Sequence, residues 1–552
     1  MKRSCARLAF GSAVAVSLFA SAVPAQVVPG KKFIELGWDI PNTAQLKAHH
    51  AEMQRTTPFD GVMLALEAVT PDGKRLSSQS MVDAQPWDAA WFAQAAADLK
   101  SCRWTTFTDN FIRVNFCPAD FDWDDDNAWK IFCAKTTLCA KIAKDTGMKG
   151  LAVDFELYGK AIFTYAAESG RSFEATKAFA RKRGQQWMEA MASEYPGMVL
   201  FTLFVADVNL SAGYDTNPDA ALASMHYGLL PAFFDGMLDA VPPEMRIVDG
   251  CETGYYKNGF DEFCRLALAI QSIGGPAIRL VAPENREKYI RQVQVGFGFY
   301  LDMYTNPEGH IYYRGPTVGG TRLDRLTENL SAARDAADGY VWIYGEQRRW
   351  WPTPNPRVNA QYWDEALPGM SRTIRLVKDP YAFARQELPA LRRGNPEANL
   401  LQNPDFAESN AGWGFWQHEP LGTFAWDSAG HAKVSKVKAG CVLQGVQPVQ
   451  PGEYYYVAID GKQQGAGQIS LRIRWQDAQK HWVHEGDDRT FLFGKEPVRI
   501  DGRPLADGWL RAEGVVRIPE GVAGLHLLAG VKGQAADADT ALFDNAVVIR
   551  IR

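Results

Sequence analysis

Neither sign of charge dominates this chain: 59 Lys and Arg stand against 64 Asp and Glu, a net of −5 over 552 residues. That balance removes the electrostatic case for nucleic acid or an anionic membrane surface as partner. Cysteine is sparse and unpatterned. There are eight; Cys5 falls in the leader, and the seven left (102, 117, 133, 139, 251, 264 and 441) are odd in number, so at least one has no intrachain partner. Cys102 with Cys117, or Cys133 with Cys139, are the pairs proximity offers, although the latter two share one expected helix, a poor geometry for a disulfide. No C-x-x-C occurs and the nine His are scattered. The one cluster, His49-His50, has no carboxylate arranged beside it, so neither a metal nor another cofactor is expected. Beyond residue 25 no uncharged apolar run is long enough to span a membrane. No G-x-G-x-x-G opens a helix, which removes the usual dinucleotide signal.

The first 25 residues read as a secretory signal. Lys2, Arg3 and Arg7 precede the apolar run Leu8 to Ala22, and small residues follow at Val23-Pro24-Ala25. No cysteine follows the run to accept a lipid. The mature protein is expected to be exported, to the periplasm or beyond in a bacterial host. Aromatic residues are plentiful, with 17 Trp, 19 Tyr and 29 Phe. Most must be core, but Trp and Tyr combine a flat apolar face with a polar edge, which suits sugar rings.

From residue 31 one theme repeats: a short apolar strand, an acidic or polar turn, an amphipathic helix. Strands are expected at 33–38, 61–66, 111–116, 151–155, 199–205, 246–249, 293–301 and 341–344. Helical patterns lie at 43–56, 87–101, 126–146, 172–194, 258–273, 322–337 and 363–375. Such alternation argues for a parallel sheet with right-handed crossovers, and eight units point to a (β/α)8 TIM barrel over 26–385 rather than an open doubly wound sheet. The charged, Pro-containing stretch at 386–398 reads as a linker. Residues 399–552 carry short alternating runs separated by turn residues, the pattern of an all-β sandwich.

In a barrel, reactive groups sit at the carboxyl ends of the strands. Read in order, those ends supply Trp38 and Asp39, Glu67, Asn115, Asp154 and Glu156, Asp249 with Glu252 and Tyr255, Asp302, and finally Tyr344 and Glu346 followed by Arg348, Arg349, Trp350 and Trp351. The fourth end, "GLAVDFELYG" (150–159), runs an apolar strand into two carboxylates on alternate positions, followed by Tyr158. A ring of carboxylates interleaved with aromatic faces is what glycoside hydrolysis requires: one acid to protonate the leaving oxygen, a second to attack the sugar carbon or activate water. Glu156 and Glu346 are the leading candidates, with Asp154 and Asp302 as further catalytic candidates. Trp38, Asp39, Glu67, Asn115, Tyr158, Asp249, Glu252, Tyr255, Tyr344, Trp350 and Trp351 are candidates for holding substrate. Several have plainer readings: Asp39 as the start of the first helix, Glu67 as a rim ion pair, the two arginines as partners of nearby carboxylates.

Two resemblances follow from quoted residues. "NLLQNPDFAESNAGWGFW" (399–416) and "ALFDNAVVIRI" (541–551) resemble the first and last strands of CenC-type jelly-roll carbohydrate-binding modules. That resemblance implies a sandwich domain in which Trp413, Trp416, Trp426, Trp475 and Trp482 are candidate sugar platforms, at least two of them core. The N-terminal part resembles (β/α)8 glycoside hydrolases, many of which place the acid/base Glu at the end of strand 4, where Glu156 stands. The strand-7 end, where many retaining members carry a nucleophile, offers Asp302. In the chitinase family strand 4 carries Asp-x-x-Asp-x-Asp-x-Glu; here only the last Asp and the Glu are present, as Asp154 and Glu156. The expectation is an exported glycoside hydrolase acting on a polysaccharide or glycan. The alternatives are a non-catalytic glycan-binding surface protein and a barrel lyase using a Tyr, His or Lys base.

Overall fold

Parallel strands at Lys32–Gly37, Gly61–Leu64, Phe111–Asn115, Gly150–Asp154, Val199–Thr202, Arg246–Asp249, Val293–Val295, Phe297–Tyr300 and Tyr340–Gly345 make one sheet in the computed structural model of the protein. The structure describes residues 30–552 apart from 82–84, 117–121, 159, 168–169, 396, 485–487, 495–498, 500–502 and 506, so the leader and Cys117 lie outside the described residues. The sheet has nine strands rather than the expected eight because Gly296 interrupts the seventh. Val293–Val295 pairs with Arg246–Asp249 at one edge, Phe297–Tyr300 pairs with Tyr340–Gly345 at the other, and one residue joins them. The two edges are therefore held together, and the sheet is barrel-like. Gly296 donates to Asp249 O at 2.7 Å, and a Cβ there would come within 3.0 Å of Val248 Cγ1 and 3.1 Å of Tyr340 O.

Side chains alternate across each strand, so Phe111, Arg113 and Asn115 point one way and Ile112 and Val114 the other. Phe111, Phe201 and Tyr340 meet edge-on inside the barrel and fill its floor. Above that layer stand Arg113, Asp154, Trp342 and Tyr344, toward the carboxyl ends of their strands. The helices cover the outer faces. Leu230–Ala240 is a helix outside the expected patterns; Leu230, Phe233, Phe234, Met237 and Leu238 are all buried, and its polar face is only Asp235 and Asp239.

The stretch read as a linker is largely a helix, Pro380–Gly394. Its apolar side, Phe383, Ala384 and Leu388, packs with Leu376 against Tyr454, Tyr456, Ala458, Val547, Ile549 and Ile551 of the β-sandwich. Asp379 caps it, accepting from Tyr381 N at 3.1 Å and Ala382 N at 2.9 Å. Asp379→Ala is expected to cost about 1 kcal/mol, read as a lower urea midpoint at unchanged slope. The sandwich stacks two antiparallel sheets, one containing Ala439–Val446, Gln468–Gln476 and Gly524–Lys532, the other Tyr454–Gln464, Leu510–Arg517 and Thr540–Arg550. Between them lies a core that includes Trp413 and Trp475, so these two of the five candidate platforms are buried. Trp416 and Trp482 are exposed, and Trp426 is half-buried. Cys102, Cys133, Cys139, Cys251, Cys264 and Cys441 are all free, so neither proposed pair forms a disulfide among the described residues. Also among the described residues, no helix is long and apolar enough to cross a membrane.

Candidate active site

At the carboxyl ends of the strands lies a cavity of about 180 Å³ lined by Arg113, Asp154, Glu156, Tyr158, Glu252, Tyr255, Tyr256, Tyr300, Tyr312, Trp342, Tyr344 and Glu346 among others. It adjoins an outer cleft of about 590 Å³ that shares Arg113, Glu156, Tyr158, Tyr344 and Glu346 and adds Trp38, Asn115 and Arg357.

Asp154 ends its strand fully buried. Arg113 Nη2 donates to its Oδ2 at 2.6 Å, and its Oδ1 accepts from Glu156 N at 2.9 Å. That second bond turns the chain and presents the Glu156 side chain to the cavity, while Phe155 points back into a cluster with Phe116, Phe163 and Trp187. Tyr158 OH donates to Glu156 Oε2 and lies 3.2 Å from Asp154 Oδ2. Partial burial raises the Glu156 carboxyl above the usual carboxylate range; the charges of Asp154 and Glu346 add to the rise, and the Tyr158 hydrogen bond and Arg113 oppose it.

Across the cavity, Glu346 accepts from Tyr300 OH at 2.9 Å and Tyr344 OH at 3.1 Å, and Trp38 Nε1 donates to Tyr344 OH at 2.9 Å. Tyr255 stacks on Tyr344, ring centroids 5.8 Å apart and 6° between planes, with Tyr300 5.3 Å from Tyr255. Glu252 begins a short 3-10 turn, Glu252–Tyr256, after the sixth expected strand. Burial, then the charges of Asp154 and Glu156, push its carboxyl up to about 8.

Other strand-end carboxylates have structural work. Asp302 is fully buried and accepts from Glu346 N at 2.8 Å, Gln347 N at 3.3 Å and Arg348 Nη1 at 3.3 Å. It shapes the turn that carries Glu346 and does not line the cavity. Asp249, equally buried, accepts from the amides of Val205, Ala206 and Cys251. Glu67 is exposed on a hairpin and accepts from Asn42 Nδ2 at 2.9 Å; Asn42, not Asp39, caps the first helix. Trp350 and Trp351 are buried away from the cavity: Trp350 meets Phe59 edge-on at 4.9 Å, and Trp351 Nε1 donates to Asp39 O at 2.8 Å. Arg348 answers Asp302, as the plainer reading held, and Arg349 lies over the Tyr362 ring.

Asp39 accepts from Trp350 N at 2.7 Å, a second pin on the chain segment beyond Glu346. It shares its buried site with Glu35, and the proximity of the two carboxyls disfavours ionising both. Burial raises both, Asp39 to about 6 and Glu35 well above the ordinary carboxylate range. A carboxyl raised by folding contributes stability at low pH, lost as pH climbs from the unfolded toward the folded value. Glu35→Gln is therefore expected to flatten the fall in unfolding free energy as pH rises above about 4.5, measured as urea midpoints against pH.

Sequence reasoning passed over Arg113, Tyr300 and Trp342. The signal for Arg113 was a lone charge inside the apolar strand "FIRVN", which has to find a buried partner; Tyr300 and Trp342 read only as core aromatics.

No protein-family model matches the chain, and no curated protein matches it. Solved structures share partial likeness. The enzymatically active domain of bacteriophage CBA120 tailspike protein 4 is 16% identical over 28% of this chain and 22% of its own, with a TM-score of 0.22. An arabinose-bound MgGH51 α-L-arabinofuranosidase is 12% identical over 28% of this chain and 26% of its own, TM-score 0.20. The CBM22-1–GH10 modules of Clostridium thermocellum Xyn10B, complexed with xylohexaose, are 11% identical over 28% of each chain, TM-score 0.18. The chain thus spans about a quarter of the length of these three structures.

Proposed function

We propose that this protein is an exported glycoside hydrolase whose barrel-like sheet acts as an eight-stranded (β/α)8 unit, Gly296 being a break within its seventh strand. The observation that carries the reading is the convergence of Glu156 and Glu346 on one tyrosine-walled cavity at the carboxyl ends of the strands. Glu156, raised and hydrogen-bonded by Tyr158, protonates the leaving glycosidic oxygen. Glu346, aimed by Tyr300 and Tyr344, attacks the sugar carbon or draws the proton from the attacking water. Asp154 positions the acid through the Glu156 amide and pairs with Arg113, so it holds geometry rather than joining the bond changes. Tyr255, Tyr344 and Trp38 give flat faces for the sugar ring. The test is release of new reducing ends from a panel of polysaccharides and glycoprotein glycans by the full chain. If folded Glu156→Gln and Glu346→Gln proteins both keep full activity, the assignment is wrong.

A further inference from the structure

The cavity has an imbalance of charge. Four carboxyls line it, Asp154, Glu156, Glu252 and Glu346, and Arg113 is the one basic residue among its lining groups. Arg113 is committed to Asp154, and tyrosine hydroxyls serve Glu156 and Glu346. Glu252 has no hydrogen-bond or ion-pair partner among the described residues. Its neighbours include the carboxylates of Asp154, Glu156 and Asp207, the Tyr255 ring in its own turn, and the Arg113 guanidinium. In the adjoining cleft Asn115 is nine-tenths buried, and its Oδ1 accepts no hydrogen bond from the described residues. A buried acceptor left open and a carboxyl without a counter-ion both call for a donor from outside the chain. A sugar hydroxyl would satisfy Asn115 but would not draw Glu252 into its ionised form. An ammonium group seated in the cavity would give Glu252 a cation to ionise against, and the stacked Tyr255 and Tyr344 add quadrupole faces that attract cations.

We propose that the cavity selects a glycan containing a free-amine hexosamine, with Glu252 as the counter-ion of its ammonium group. The inference rests on the glycosidase reading for its ligand class. Binding transfers one proton: Glu252, neutral before binding, gives its proton to solvent as the ammonium seats beside it. A neutral or N-acetylated sugar causes no such release.

The experiment is calorimetric, on the full chain carrying Glu156→Gln to prevent turnover, at about pH 6.5, where a sugar amine is charged. The ligands are a glucosamine oligomer, its N-acetylated counterpart and the matching neutral glucose oligomer, each titrated in two buffers of different ionisation enthalpy. The expected result is binding of the amine oligomer at least about tenfold tighter than the other two, with about one proton released to buffer. Adding Glu252→Gln, with folding verified by thermal unfolding, removes both the preference and the proton. Equal or tighter binding of the neutral or N-acetylated oligomer, or an amine-oligomer signal without proton release, overturns the inference. If the parent protein nevertheless cleaves a neutral glycan, the hydrolase reading stands without it. Tight, proton-releasing binding of the amine oligomer with no cleavage of any glycan leaves this inference standing and defeats the hydrolase reading instead.

Discussion

On the hydrolase reading, Glu156→Gln is expected to lower turnover about 10²- to 10⁴-fold in a protein that still folds and binds glycan. Glutamine keeps the size of the side chain and can still receive the Tyr158 hydroxyl, and the backbone amide at 156 still donates to Asp154, so the turn survives. What is lost is the proton. The acid form of Glu156 persists to higher pH than that of a free glutamate because burial and the charges of Asp154 and Glu346 disfavour its ionisation. The expected alkaline fall of the rate would then follow the loss of this proton, and the residual rate of the glutamine variant would lack that limb. Glu346→Gln is expected to lower turnover as well. The pH profile of the Glu156→Gln protein tests the acid role, which the two rate losses alone would not separate.

Asp460→Ala costs about 3 kcal/mol of unfolding free energy, a large share of the roughly 5–15 kcal/mol that holds a typical domain. Asp460 is buried in the sandwich between Arg499 at 3.0 Å and Arg511 at 2.6 Å, and both arginines are buried as well. Removing the anion strands positive charge away from water. The loss sits at the low end for a broken buried pair because Arg511 Nε still reaches Glu513 at 3.3 Å. Chemical denaturation with a lower midpoint and unchanged slope is the expected reading. Asp460→Leu combined with Arg511→Met recovers part of the loss, since it removes charge of both signs together.

Much of the barrel was legible because its elements differ in period. The strand Arg246–Asp249 and the helix Thr43–Thr56 lie where apolar spacing puts them. Helices escaped notice where that contrast fails. Leu230–Ala240 is apolar save for Asp235 and Asp239, and Pro380–Gly394 hides a short apolar stripe among arginines and an internal Pro389. The candidate site was legible as a list of strand-end carboxylates but not as a selection from it. Asp302 and Glu346 each follow an apolar strand at similar distance. What distinguishes them is the chain beyond: the backbone after Glu346 folds onto Asp302, consuming its oxygens, whereas Glu346 meets only side chains. That difference is set by contacts distant in sequence, which local spacing does not encode.

The helix Pro380–Gly394, lying against the sandwich sheet through Phe383 and Leu388, also decides how the two halves would cooperate on a polymer. A module on a slack tether raises the local concentration of its partner in every direction, to a degree set by tether length. A module clamped through a packed helix has one reach and one bearing. Should both halves engage one polymer, such a junction would favour chains whose repeat matches a fixed spacing, as a ruler does.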